Sequence, residues 1–160
     1  MNRVSTLFLK IAVILIGIPI LALCIFAVPR IATHTAEVFP NMAYIPYLVF
    51  IFLYVSAIPF YFALYQAFKL LSFIDKNKAF SKMSVRALKN IKYCAVTIST
   101  LFAAGMPIFY LMAEIDDAPG IIVIGLVIIF ASMVIAVFAA VLQKLLKEAI
   151  DIKSENDLTV

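Results

Sequence analysis

The side chains that could do chemistry in this 160-residue chain are few and scattered. Its one histidine, His34, lies three residues from Glu37, and one imidazole with one carboxylate supplies too few ligands for a zinc site. No nucleophile elbow, glycine-rich phosphate loop or metal-spaced Cys/His cluster occurs in the sequence. We therefore expect no enzyme activity, no catalytic residues, no metal and no cofactor, and we predict that His34 is a loop residue.

Three tyrosines form a second group that could act on a ligand. Tyr54, Tyr61 and Tyr65 recur at i, i+7 and i+11, which places them on one face of a helix. One interpretation is packing between helices with satisfied hydroxyl groups, and this is the favoured one. The alternative is a polar-lined cavity for a small amphipathic ligand.

Basic residues form the third group, and their spacing is regular. Ser81 can cap a helix on which Lys82, Arg86 and Lys89 stack at i, i+4 and i+7. The opposite arc of that helix is mostly apolar: Met83, Val85, Ala87, Leu88 and Ile91. Such a helix suits the surface of an anionic bilayer or an acidic protein partner. We expect no direct binding of nucleic acid, because a basic patch beside a membrane meets lipid first.

The elements that must position these residues are long and apolar. Hydrophobic residues make up 66% of the chain and charged residues 14%, against about 25% charged in a soluble domain. Four stretches without charge are each about as long as the ~30 Å of hydrocarbon that about 20 helical residues span. The sequence therefore predicts a single integral membrane domain, residues 1–160, with spans at about 7–28, 44–70, 91–113 and 120–142. A cytoplasmic loop, 72–90, and a cytoplasmic tail, 143–160, complete the prediction.

The orientation of the spans follows from the positions of Lys and Arg. Of thirteen such residues, Arg30 alone falls on one side of the predicted membrane, and twelve fall on the other. The positive-inside rule then places both termini and the loop 72–90 in the cytoplasm. We predict an all-α membrane protein with four transmembrane helices in an up-down bundle and a short basic amphipathic helix before the third span.

Within the spans, the side chains suggest packing rather than transport. No ionisable side chain lies deep in any span, which disfavours a proton-coupled carrier. Ser132, Ala136 and Ala140 form a ridge of small residues on the fourth span that would let a neighbouring helix approach closely. Cys24 and Cys94 fall at different depths of the membrane, so we expect two free thiols.

Short motifs resemble a known family. Residues 75–81 (DKNKAFS), residues 87–91 (ALKNI) and the ending 149–160 (AIDIKSENDLTV) are similar to the YoaS-like family of small four-span bacterial membrane proteins, a domain of unknown function. Lys82 and Met83 depart from the Glu-Asn pair that the family favours there. The resemblance covers essentially the whole chain. It implies a multi-pass protein of the bacterial plasma membrane with no known enzyme activity or ligand. It also implies a small helix-turn-helix transcriptional regulator as a membrane-tethered partner.

Two function classes follow from these observations. The first is a regulatory or interaction protein that engages a cytoplasmic partner through its basic loop and tail, with Lys82, Arg86 and Lys89 as the contact to partner or lipid. The alternative is a small transporter, channel, or lipid- or peptide-interacting protein that uses the tyrosine face. A homo-oligomer is compatible with both classes.

Overall fold

The computed structural model describes residues 3–159, and all the regular secondary structure over that range is helical. Its helices are α1 (Arg3–Ala22), a π-helical turn (Leu23–Ala27), α2 (Val28–Val38), α3 (Tyr44–Asp75), α4 (Lys82–Ile115) and α5 (Gly120–Thr159). Four helical stretches are long and apolar enough to cross a membrane: Arg3–Val38, Tyr44–Asp75, Lys82–Asp116 and Gly120–Leu158. Each contains one predicted span, so the prediction of an all-α chain with four candidate spans is confirmed. Val160, the last residue of the predicted tail, lies outside the described residues.

The helices are longer than the predicted spans, and the connections are correspondingly shorter. Within the predicted connection 72–90, α3 continues to Asp75 and α4 begins at Lys82. The basic amphipathic helix is the start of α4 and runs without a break into the third span. The tail is also helical, since residues 143–159 continue α5. Charge marks where an apolar span ends, but Lys, Glu, Ala and Leu are good helix formers and do not stop the helix.

The π-helical turn makes the first span continuous with α2. The Val28 N–H donates to the Leu23 carbonyl, a step of five residues. In that register the Cys24 carbonyl would need the N–H of Pro29, which proline lacks. The Tyr54 hydroxyl donates to this same carbonyl at 2.6 Å. A side chain of α3 thus satisfies the backbone group that the proline leaves open, as hydrocarbon surroundings require.

The helices pack in an open row. The α1–α2 unit packs on α3, α3 packs on α4, and α4 packs on α5. Among the described residues, α5 contacts no helix other than α4. The helices thus form a layer that does not close on itself. Lipid tails are as apolar as leucine, so exposed apolar faces gain little by closing against each other.

Small residues make the contact between α4 and α5 close. Six side chains on the facing surfaces are buried: Cys94, Ala95 and Ser99 on α4, and Ser132, Ala136 and Ala139 on α5. The Ser99 hydroxyl donates to the Ile129 carbonyl at 3.3 Å. A Cβ added to Gly125 would lie 2.7 Å from the Met106 sulfur. The predicted ridge on the fourth span is confirmed at Ser132 and Ala136, with Ala139 more deeply buried than Ala140.

Ala136→Phe tests this contact. Ala136 is only 6% exposed, so a phenyl ring should separate α4 from α5 and destabilise the protein by about 1–3 kcal/mol. The matched control is Ile135→Phe, because the neighbouring Ile135 side chain is 51% exposed. Thermal unfolding in detergent should show a lower midpoint for Ala136→Phe only. Equal midpoints for the two variants would contradict the packing described here.

Candidate functional site

A structured turn at residues 76–81 sets the position of the basic residues. The Lys78 N–H donates to the Phe73 carbonyl at 2.7 Å, and Asn77 adopts a φ of 58°. The Ser81 and Ser84 hydroxyls both donate to the Lys78 carbonyl, at 2.6 and 3.2 Å. The turn is therefore held by its own hydrogen bonds, and it fixes where α4 starts.

The start of α4 carries the predicted cap and the predicted basic face. Ser81 is extended, and its hydroxyl accepts the Ser84 N–H at 3.3 Å, which confirms the cap. The side chains of Ser84, Ala87 and Leu88 are buried against the neighbouring helices. The structure brings the three predicted contact residues together on the opposite, exposed face: Lys82, Arg86 and Lys89. We call this surface the basic face.

Aromatic rings next to the lysines mark the edge of the apolar region. The Lys89 and Lys92 ammonium groups lie 5.9 and 4.8 Å from the Tyr93 ring centre. On α3, the Lys69 ammonium group lies 5.3 Å from the Tyr65 ring. Tyrosine rings are enriched where a bilayer meets water, and lysine stems extend toward the same boundary. These pairs lie between the apolar part of the helices and the basic face.

The tail helix lies beside the turn. The Lys153 ammonium group is 5.9 Å from the Phe80 ring centre. One side of the tail helix is partly covered by α4, as Gln143, Leu146 and Ala149 show. Its other side is exposed and carries carboxylates. The turn and the tail, which the sequence treats separately, thus form one surface at the basic end of the molecule.

An ion pair at the same end was not predicted. The Lys10 ammonium group lies 2.7 Å from the Asp75 carboxylate and 5.4 Å from the Phe68 ring. The two charged side chains are only 20% and 24% exposed. Fully buried Thr6 also faces this carboxylate. The only sequence signal was that Asp75 is the one acidic residue in a connection otherwise rich in lysine.

The three predicted tyrosines do not share one environment. The Tyr54 hydroxyl donates to the Cys24 carbonyl, and the Tyr61 hydroxyl donates to the Gly17 carbonyl at 2.8 Å. These two side chains join α3 to the first span. Tyr65 is 57% exposed and lies beneath Lys69. The favoured interpretation, packing with satisfied hydroxyls, describes Tyr54 and Tyr61.

An apolar groove lies elsewhere, between α3 and α4. It encloses about 200 Å³ and is open to the side of the molecule. Its lining is Leu48, Val49, Phe52, Leu101, Ala104, Gly105, Ile108 and Phe109, without any of the three tyrosines. A Cβ on Gly105 would lie 3.0 Å from the Phe52 ring, so glycine keeps the floor of the groove open.

At the opposite end of the molecule, His34 joins two helices. It lies on α2, beyond the apolar segment of the first span, so the prediction of a loop residue is wrong. Its Nε2 is 2.7 Å from the Asp116 carboxylate that follows α4, and its Nδ1 is 4.0 Å from Glu37. The hydrogen bond and the negative charge of Asp116 raise the pKa of His34 above 6.5, with a smaller contribution from Glu37 and against a small effect of burial.

The described residues contain no cluster of metal-binding side chains, and their two cysteines are unpaired. Over residues 3–159, no set of three or more His, Cys, Asp or Glu side chains could share a metal ion. Cys24 and Cys94 are free thiols, as predicted.

Comparison with known proteins shows a family and a relative to which this chain is similar. Residues 30–160 match the family described as Protein of unknown function (DUF2975). The chain is 86% identical, over 100% of both sequences, to the uncharacterized membrane protein YoaS of Bacillus subtilis (strain 168). No solved structure shows a significant match. These matches confirm the resemblance that residues 75–91 and the tail predicted.

The His34–Asp116 pair predicts a pH-dependent stability. A pKa raised on folding means that the pair stabilises the protein fully below about pH 6.5 and loses its effect as the pH rises through the raised value. The difference in melting temperature between the wild type and His34→Gln should therefore shrink from about pH 5.5 to about pH 8.5. Asp116→Asn should abolish this dependence, and Glu37→Gln should leave most of it. A difference that grows with pH would contradict the pairing.

Proposed function

The chain belongs to the DUF2975 family, and from that premise we propose that it is a non-enzymatic regulatory or interaction protein of the bacterial plasma membrane. It engages a cytoplasmic partner through the basic face and the tail helix. By the family resemblance, that partner is a small helix-turn-helix transcriptional regulator. The basic face also contacts the anionic headgroups of the inner leaflet.

The proposal includes an up-down arrangement with both termini in the cytoplasm. Its main support is the distribution of Lys and Arg, twelve on one side against Arg30 on the other. Two contacts agree with it. Lys10 near the start of the chain meets Asp75 at the end of α3, and Lys153 near the end of the chain meets Phe80 before α4. Lys10 and Lys153 therefore lie at the same end of the molecule as the turn at residues 76–81.

One observation carries the proposed interaction. Lys82, Arg86 and Lys89 are exposed, lie on one face, and take part in none of the ion pairs found over residues 3–159. A helix that starts from a rigid turn presents these charges in a fixed arrangement. Preorganised charges bind an anionic surface with little loss of conformational entropy. Headgroup phosphates and acidic protein side chains both supply the required negative charge.

The groove between α3 and α4 supports a second candidate. Its lining is apolar, and it opens sideways at the depth of the spans. A lipid- or peptide-interacting protein, or a small transporter, would use such a groove for an apolar ligand. No ionisable side chain lies within it, so a lipid tail or an apolar peptide fits it better than an ion.

Topology can be tested with reporter fusions. Fusions after Asp117 and after Val160 should report opposite sides of the membrane, because one helix of 40 residues separates the two positions. A reporter active only in the cytoplasm and one active only outside should give complementary results. The same compartment for both positions would contradict the four-span arrangement.

The basic face can be tested by removing its charge. Lys82→Gln, Arg86→Gln and Lys89→Gln together should weaken retention of a soluble partner and of anionic lipid by at least about tenfold, since each basic residue near an anionic surface contributes about 1 kcal/mol. The effect should shrink at high salt. Co-purification in mild detergent, with lipid quantified by mass spectrometry, measures both.

The matched control removes three basic residues outside both the basic face and the tail helix. Arg3→Gln, Lys69→Gln and Lys76→Gln change the net charge equally and should retain partner and lipid. Full retention by the basic-face variant would reject the proposed contact and direct attention to the groove.

A further inference from the structure

We propose that two copies of this chain pair in the membrane, with the free face of α4 in one copy against the outward face of α5 in the other. The two copies are related by a two-fold axis perpendicular to the bilayer, so the same contact forms twice. The inference rests on the membrane orientation given under the proposed function. It names a second copy as a partner of the basic face.

The free face of α4 is continuous from its charged start into the span. Below Lys82 and Arg86, the same side of the helix exposes Tyr93 and then three small side chains: Thr97, Thr100 and Ala104, the last of which also lines the groove. These small side chains lie at membrane depth, where exposed residues on the other helices are mostly large and apolar. Small residues let a neighbouring helix approach closely. A soluble partner or a headgroup cannot reach this part of the face, whereas a spanning helix can.

The outward face of α5 carries bulky and acidic side chains, which complement the small and basic side chains of α4. Within the span it carries bulky side chains that are largely exposed: Leu126 is 54% and Phe130 is 73% exposed. Beyond the span the same side carries exposed carboxylates at Glu148, Asp151 and Glu155. The bulky side chains of α5 thus lie at the membrane depth where α4 has small ones. The negative charges of α5 lie beyond the span, at the same end of the molecule as the positive charges of α4.

The contacts between α4 and α5 within one copy show that these features match in depth. Lys153 lies beside Phe80, Ile129 beside Ser99, and Gly125 beside Met106. Residue numbers therefore fall along α5 as they rise along α4. Two copies in one bilayer share the same depths, so this register also holds between them.

That register aligns opposite charges. It brings Glu155 to the level of Lys78, Asp151 to that of Lys82, and Glu148 to that of Arg86, each within about one helical turn. It also brings Phe130 to the level of Thr100 and Leu126 to that of Ala104. Lys89 falls at the level of Lys144, which has the same sign, and so takes no part in the pairing.

Among the described residues, none of the six charges is already paired with an opposite charge. All six are exposed, and none takes part in an ion pair within residues 3–159. The side chains point away from the α4–α5 contact, since Ser84, Ala87 and Leu88 occupy it on α4. In the dimer, each of these charges meets an opposite charge of the second copy, and the fold of neither copy has to change. It also covers Lys82 and Arg86, so pairing competes with a soluble partner for these two residues.

A charge swap between two differently tagged copies tests the pairing. One copy carries Lys82→Glu and Arg86→Glu, and the other carries Glu148→Lys and Asp151→Lys. Purified protein in vesicles of neutral lipid removes any soluble partner, so the result does not depend on the proposed function. Co-capture of the two tags after brief cross-linking measures association.

Wild-type copies should associate, and each reversed copy alone should lose association on the order of tenfold, because like charges then meet at both contacts. The mixture of the two reversed copies should associate as the wild type does, since both contacts become attractive again. Arg3→Glu with Lys76→Glu, a matched control at exposed residues outside α4 and α5, should behave as the wild type.

The part within the span is tested by Thr100→Phe, which should reduce association because a ring prevents close approach. Leu15→Phe, on an exposed position of α1, should not. Size-exclusion profiles in detergent verify that each variant is folded. Monomeric wild-type protein, a reversed copy that associates fully by itself, or a mixture that stays apart would each overturn the proposal.

Discussion

Lipid gives helices little reward for burying apolar side chains against each other, and the rest of this structure depends on that constraint. The contacts that hold the row together are therefore specific rather than extensive. Small residues bring α4 and α5 close, and the Ser99 hydroxyl bonds a backbone carbonyl across them. The Tyr54 and Tyr61 hydroxyls of α3 likewise donate to backbone carbonyls of the first span. Removal of one such contact costs more than its area suggests, because few others replace it.

Over residues 3–159, the ion pairs lie at the two ends of the row. The Lys10–Asp75 pair joins the first span to α3 at the basic end, and the His34–Asp116 pair joins α2 to the residue after α4 at the other end. The Lys10–Asp75 pair is partly shielded, which makes it less sensitive to salt than the His34–Asp116 pair, whose imidazole is half exposed. The helices between them carry no ionisable side chain deep in the span. The first span is thus fixed at both ends, while its outer face meets lipid.

Features set by local sequence could be predicted, and features set by tertiary contact could not. The four spans, the Ser81 cap, the basic face and the small ridge depend on residues within a few helical turns. The two end pairs join residues 65 and 82 positions apart, and no local pattern indicates such partners. A change of polarity along the sequence marks where a span leaves the membrane. It does not mark where the helix ends, so the helix ends could not be predicted from it. The row stays open because packing in lipid, unlike packing in water, does not require apolar faces to be covered.

The length of α5 has a mechanical consequence. Its 40 residues extend over about 60 Å, roughly twice the thickness of the hydrocarbon, without a break. The segment beyond the span is therefore an arm of about 25 Å that is rigidly coupled to the part in lipid. A helix tilts when the bilayer thins, and a tilt of about 10° swings the tip of such an arm sideways by about 4 Å. The arm converts a change in membrane thickness into a lateral displacement of its acidic tip.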